Sequence, residues 1–318
     1  MHTYRIKLRL NGGLITPFHA DTVFGGLCWA VRYSEGNKSL EAMLADYRAG
    51  RPWFVLSNAY PGDMLPKPMI KVKNPPAASI SEQVLQARDA KRLKKVEFLT
   101  PDEFVALAGG SPIAIQDKKK PIKRIATMHN QAERSYGSTA EGGQLFEQLE
   151  SYLDSDPNPD PEPDHGYLTI YIKLQEPGLR DWLKGHFLSL GQTGLGKRKS
   201  VGKGSFTVID FEECDIFGYV MEPNAFLSLS NFVPATDDPV LGHYKTFVKY
   251  GKLGEEYASS EYPFKRPLLM IQSGSVFLLN SEVKPFYGKM IENIAPAYPQ
   301  VLQYALAFSV PVRLEGWN

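Results

Sequence analysis

Two well-separated stretches of this sequence repeat one pattern, an alternating strand followed by an amphipathic helix, and that repetition limits the folds open to the chain. Tyr4, Ile6, Leu8 and Leu10 alternate with Arg5, Lys7 and Arg9, the period of two that marks a strand with one buried face. Asn11-Gly12-Gly13 breaks it. Val23, Phe24, Leu27, Cys28 and Val31 then recur at helical spacing behind Asp21 or Thr22, either of which can cap a helix. Residues 167–174 restate the strand, with Leu168, Ile170, Ile172 and Leu174 on one face. Pro177-Gly178 opens a second helix whose apolar positions are Leu179, Trp182, Leu183, Phe187 and Leu190, and Phe206, Val208 and Ile209 begin another strand. This order predicts a split βαβ, ferredoxin-like domain over residues 1–211, carrying an insertion at about 51–166.

The insertion is rich in Lys, Pro and Gly, with a charged helix expected near 80–95. Residues 154–164 (DSDPNPDPEPD) carry five acids and four prolines and read as a solvated, extended loop. From residue 212 to 318 a second, degenerate domain of the same kind is expected, its strongest strands at 268–279 and 303–314. The fold class is therefore α+β, with tandem ferredoxin-like (RRM-like) domains, a glycine-rich loop and a long inserted segment.

Composition limits the function. The 318 residues carry 36 Lys+Arg against 35 Asp+Glu, a formal net charge of +1, so any nucleic-acid surface is a local patch. No apolar run is long enough to span a bilayer, and no signal-peptide h-region follows MHTYRIKLRL. Cys28 and Cys214 form no CxxC pair, which excludes a disulfide scaffold or zinc knuckle and suits a reducing cytoplasm.

The stretch 191–206, GQTGLGKRKSVGKGSF, holds five glycines, four cations (Lys197, Arg198, Lys199, Lys203) and no acid. Glycines let backbone amides approach a ligand closely, and cations neutralise phosphates. GQTGLGKR nearly matches a P-loop, but Arg198 stands where Ser or Thr would hold magnesium, and the string follows a helix pattern instead of a strand. A flexible basic hairpin without ligand is the plainer alternative to phosphate contact. A second basic stretch, 117–137, mixes Lys118, Lys119, Lys120, Lys123, Arg124 and Arg134 with His129, Asn130 and Tyr136. Single-stranded RNA needs such a mixture, for phosphates, base edges and stacking, although a solvated charged loop has the same composition. In 243–266, Lys245, Lys249, Lys252, Lys265 and Arg266 sit among Tyr244, Phe247, Tyr250 and Tyr257. This third stretch is an RNA contact or a protein interface, and sequence does not choose.

The six histidines form no HExxH or spaced Cys/His set, so no metal or other cofactor is expected. His129, near Tyr136 and Lys123, has the chemistry for metal-free attack by an RNA 2′-hydroxyl but no visible partner histidine. Asp21 is either a carboxylate catalyst or, more simply, a helix cap.

The stretches LITPFHADTVFGGLCWAVRY (14–33), LPKPMI (65–70), HNQAERSYGSTAEGGQLFE (129–147), GQTGLGKRKSVGKGSF (191–206) and FVPATDDPVLGHYKTFVKYGKLG (232–254) together resemble the RAMP superfamily of CRISPR-associated proteins. Their order and wording are most similar to the subunit-four family of type III-A (Csm) effector complexes, over nearly the whole chain. The resemblance implies a non-catalytic cap subunit that holds the repeat-derived 5′ tag of the crRNA. Such a cap docks against a large polymerase-like signalling subunit and the repeated backbone subunit, with no membrane or small-molecule substrate. It puts Gly194, Gly196, Lys197, Arg198 and Lys199 on the signature glycine-rich loop, with Lys203 beside them. His129, Asn130, Arg134 and Tyr136 fall on the tag-contacting insertion, and His19 matches the motif before the first helix. Lys123, Arg124 and Lys249 complete the expected RNA contacts. The rivals are a metal-independent crRNA-processing endoribonuclease of the same superfamily, a purely structural connector, and a cap of the related Cmr branch.

Overall fold

A computed structural model of the chain describes residues 1–70, 79–109, 111, 113, 120–130, 145–154, 166–217, 220 and 222–314. The first part runs β1 (His2–Leu10), α1 (Ala20–Glu35), α2 (Asn37–Arg48), β2 (Phe54–Pro61), β3 (Leu65–Pro66), α3 (Ile80–Lys95), β4 (Phe98–Leu99), α4 (Pro101–Ala108), β5 (Ile122–Asn130) and β6 (Leu145–Leu153). It continues with β7 (Tyr167–Leu174), α5 (Leu179–Thr193) and β8 (Phe206–Glu213). The remainder is β9 (Ala225–Ser228), β10 (Gly242–His243), β11 (Thr246–Lys249), β12 (Leu268–Ile271), β13 (Val276–Leu278), β14 (Phe286–Gly288) and β15 (Leu306–Val312).

The alternation in β1 buries Tyr4, Ile6 and Leu8. Antiparallel pairing sets Ile6 opposite Ile170 of β7 and opposite Phe211 of β8, so one apolar face runs across the strands. The strand order β2-β7-β1-β8 is that of a ferredoxin-like sheet. Helix α1 buries Ala20, Val23, Phe24, Leu27, Ala30 and Val31, and α5 buries Leu183, Phe187 and Leu190; the two helices pack on one another. His19 is the α1 N-cap, and Asn58 of β2 reaches in to accept from the Ala20 amide at 2.9 Å. Neither Asp21 nor Thr22 caps the helix, and both lie inside its first turn.

The sheet is interrupted after Pro61, later than residue 51, because Phe54–Pro61 itself pairs with β7. Nearly every residue of β2 is buried, so it lacks the period-two signal. A bulge between Leu56 and Ala59 turns Ser57 and Asn58 inward. There Ser57 Oγ accepts from the Tyr171 amide at 2.8 Å, and the Asn58 amide donates to Leu229 O at 2.9 Å. Within the insertion, the charged helix lies where composition placed it, as α3, capped by Ser79 and without a buried residue. Helix α4 carries a Thr100/Glu103 capping box and buries Phe104 and Leu107. Strands β5 and β6, nine residues each, pair antiparallel along their whole length, and the acidic loop 155–165 lies outside the described residues.

The C-terminal part is a five-stranded antiparallel sheet of order β10-β13-β9-β15-β14, plus the ribbon β11–β12. The expected strand 268–279 is two strands, β12 and β13, in different sheets. Among the described residues this part has no α-helix, only a 3-10 turn at Glu255–Ser259, so its sheet carries no helical layer of the ferredoxin-like kind among them. The two parts share one core, in which Tyr304, Leu306, Phe308 and Val310 join Phe24, Phe54 and Leu56. Tyr304 Oη accepts from the Leu56 amide at 2.9 Å, and Tyr60 Oη donates to Leu229 O at 2.6 Å.

Candidate nucleic-acid interface

The glycine-rich loop is a folded object. The Gly194 amide closes α5 by donating to Leu190 O, and the Leu195 amide donates to Gly204 O at 3.0 Å, drawing the ends of the loop together. Gly204 has φ +69°, and a Cβ there would collide with the Leu195 carbonyl. Gly196 has φ +92°, and a Cβ there would lie 2.6 Å from Thr16 Cβ. Thr16 Oγ1 accepts from the Lys197 amide at 3.0 Å. The amides of Val201, Gly202, Lys203 and Gly204 are also bonded within the protein. Most of the loop's amides thus hold its shape, which leaves its side chains as the groups open to a ligand.

The four loop cations divide into two pairs. Lys199 is ion-paired with Glu255, and Lys203 Nζ lies 2.6 Å from Glu150 Oε2, whose side chain is only 4% exposed. The Lys203 hydrogen bond, with others from Tyr152 Oη at 2.6 Å and Gln148 Nε2 at 2.9 Å, holds the Glu150 carboxyl down at about 2. Lys197 and Arg198 remain exposed, Arg198 in the left-handed region at φ 59°. Their charges face outward.

Hairpin β5–β6 brings the second basic stretch to this loop. Leu14 and Ser151 exchange backbone hydrogen bonds of 2.8 and 2.7 Å, which fixes the hairpin stem beside the 11–16 turn. His129 sits opposite Phe146, their rings stacked 5.5 Å apart at 20°, and the Arg198 guanidinium lies 5.5 Å from the same Phe146 ring. His129, Phe146 and Arg198 therefore form one continuous aromatic and cationic surface. Lys123 shares the His129 face and is ion-paired with Asp154, whereas Arg124 and Asn130 point from the opposite face, beside Met128, Leu145 and Leu149. Arg134, Tyr136, Lys118 and Lys119 lie outside the described residues.

His19 and Lys249 meet elsewhere, at the start of α1. Lys249 is ion-paired with Asp21, Gln303 Nε2 donates to Asp21 Oδ2 at 2.6 Å, and Lys265 Nζ donates to Gln303 Oε1 at 2.7 Å. Burial, reinforced by the Lys249 charge, lowers His19 to about 4, so at neutral pH it carries no charge to offer a phosphate. Asp21 Oδ1 is buried without a hydrogen-bond partner among the described residues. This cluster ties α1 to the C-terminal part, and Asp21 serves it as the buried acid instead of capping the helix.

The strand face opposite α1 and α5, the RNA platform of RRM-type domains, is occupied. Lys7 Nζ lies 3.3 Å from Asp63 Oδ2, Arg5 Nε donates to Glu212 at 2.6 Å, and Tyr171 packs on Phe217, which also meets Phe104 of α4. Phe146, Glu150 and Thr16 shape this candidate site, and sequence reasoning did not single them out. Phe146 and Thr16 stood inside stretches that had drawn notice, though neither was singled out, and nothing local marks Glu150 as the partner of a lysine 53 positions away.

No protein-family model matches the chain, and no curated protein matches it. Solved structures do: the chain has the fold of subunits from type III-A CRISPR–Cas assemblies. A chain of the Csm1–Csm4 cassette in complex with cA4 superposes at TM-score 0.65 with 19% identity, covering 99% of this chain and 100% of that one. The same cassette in complex with pppApA gives 0.64 at 20% identity, with the same coverage. A chain of the Csm3–Csm4 subcomplex in the type III-A CRISPR–Cas interference complex gives 0.63 at 14% identity, again over 99% and 100%. Csm4 is named in each of these assemblies, and the α+β fold shared with the matched chains extends over both parts of the present chain.

Proposed function

We propose that this chain is a non-catalytic crRNA-binding subunit of a type III-A (Csm) effector ribonucleoprotein. In this reading it holds the repeat-derived 5′ tag and bridges a large signalling subunit to the backbone subunits. The observation that carries the reading is the surface formed by Arg198, Phe146 and His129, with Lys197 beside it. It offers two outward cations for phosphates and a rigid aromatic edge for bases, the combination a single strand of RNA requires. The whole-chain likeness to the Csm4-containing structures supports the choice of assembly. Lys199, Lys203, Lys249 and His19 act in this account as scaffold: they hold the loop and the α1 terminus in place.

The test is to express the affinity-tagged protein from its native operon and sequence the RNA that copurifies. The reading expects RNAs sharing one short repeat-derived 5′ end, together with large and backbone subunits. The double variant K197E/R198E is expected to assemble and to lose that RNA. In binding assays its log–log salt slope should fall by about 1.4, two phosphates at roughly 0.7 each. Undiminished tagged crRNA on the double variant would make the chain a structural connector. Short repeat fragments that disappear in His129→Ala would make it a nuclease.

A further inference from the structure

The β11–β12 ribbon has an edge that no described residue pairs with. Among the described residues, strand β11 pairs only with β12, in the register Thr246↔Ile271, Phe247↔Met270, Val248↔Leu269 and Lys249↔Leu268. The Gln272 amide donates to Lys245 O at 2.9 Å, so 245 and 272 form a hydrogen-bonded pair. In an antiparallel ladder such pairs alternate. Phe247 and Lys249 therefore also bond to β12, and Thr246 and Val248 turn their N–H and C=O groups to the outer edge. There those groups have no partner among the described residues.

The side chains alternate in step. Phe247 and Lys249 face inward, where Lys249 anchors the ribbon to Asp21, while Tyr244, Thr246, Val248 and Tyr250 are exposed. Leu269, opposite Val248, is 60% exposed and Tyr250 is 78% exposed. A bare edge strand with an apolar outer face invites pairing with another chain unless it is covered. The centre of this face, Val248 against Leu269, is aliphatic and offers no ring on which a base could stack. Its surroundings are basic: Lys245, Lys252 and Arg266 are exposed, whereas nearby Glu255 and Glu256 are engaged by Lys199 and Arg32.

We propose that β11 is a docking strand, to which an extended segment of a neighbouring protein subunit adds antiparallel or parallel, apolar at alternate positions and acidic at its flanks. This rests on the reading of the chain as one subunit of a larger assembly and names the surface through which it is joined.

The experiment co-expresses the full chain with the Csm1-type and Csm3-type subunits of its own system, then measures amide hydrogen exchange in the free and assembled protein. The Thr246 and Val248 amides are expected to exchange at least tenfold more slowly in the assembly. Val248→Pro removes the edge donor while leaving the bonds of Phe247 and Lys249 to β12 in place; it should lose one of the two subunits, and Val248→Thr should keep both. Equal exchange of these amides in the free and assembled protein, with both subunits retained, overturns the docking strand whatever becomes of the proline variant. Protection that arises only when RNA is added overturns it in favour of a nucleic-acid surface. If the unaltered chain retains neither subunit, the assembly reading fails and the inference falls with it.

Discussion

Lys203 and Glu150 lie 2.6 Å apart with the carboxylate almost fully enclosed, and this pair fixes where the hairpin meets the glycine loop. The Glu150 carboxyl is drawn from its ordinary 4.5 down to about 2, first by the Lys203 hydrogen bond. Its contribution to stability is therefore complete above about pH 4.5 and is lost as the pH falls toward 2. Thermal unfolding followed across that window should show the loss, and Glu150→Gln should flatten the curve while costing about 2 kcal/mol at neutral pH. The loop's cations were legible in its composition, but their division was not. Lys199 and Lys203 answer acids 56 and 53 residues away, which no local pattern could reveal, so only Lys197 and Arg198 are left exposed for the role proposed here.

Legibility among the elements followed burial. Strand β1 buries one face and announced itself by alternation, and the amphipathic α1 and α5 did the same at helical spacing. Strand β2, buried on nearly every residue, and hairpin β5–β6, exposed on both faces along most of its length, each lack a period to read. The hairpin was seen as a basic stretch and a family-like motif, not as two paired strands, yet it supplies Phe146, the ring that joins Arg198 to His129. Phe146 is 40% exposed, so Phe146→Ala should leave the fold intact. It should weaken RNA binding about tenfold by releasing Arg198 from its seat. Because both outward charges remain, the log–log salt slope should be unchanged. Titration at several salt concentrations separates this positioning role from loss of a phosphate contact.

Across the whole molecule, the ferredoxin-like part and the C-terminal sheet are fused through one core and through the Asp21–Lys249–Gln303–Lys265 cluster. The cluster combines residues that sequence reasoning had assigned to separate roles, because a contact between residues 21 and 249 leaves no trace in local pattern. Asp21→Ala should strand two half-buried lysine charges and destabilise the protein by about 3 kcal/mol in urea unfolding. His19, beside the cluster, is lowered from 6.5 to about 4. Stability should thus be full above about pH 6.5 and decline as the pH falls to 4. His19→Gln should remove that decline without touching the lower window set by Glu150.

The central claim is that crRNA runs over the surface where the glycine loop meets the hairpin. Ultraviolet cross-linking of the assembled protein to its own crRNA, with the adducts mapped by mass spectrometry, tests it most directly. The account predicts adducts on peptides carrying His129, Phe146 and Lys197–Arg198, all joined to nucleotides of the 5′ tag. Adducts confined to other surfaces, with these peptides unmodified while the RNA stays bound, would contradict it.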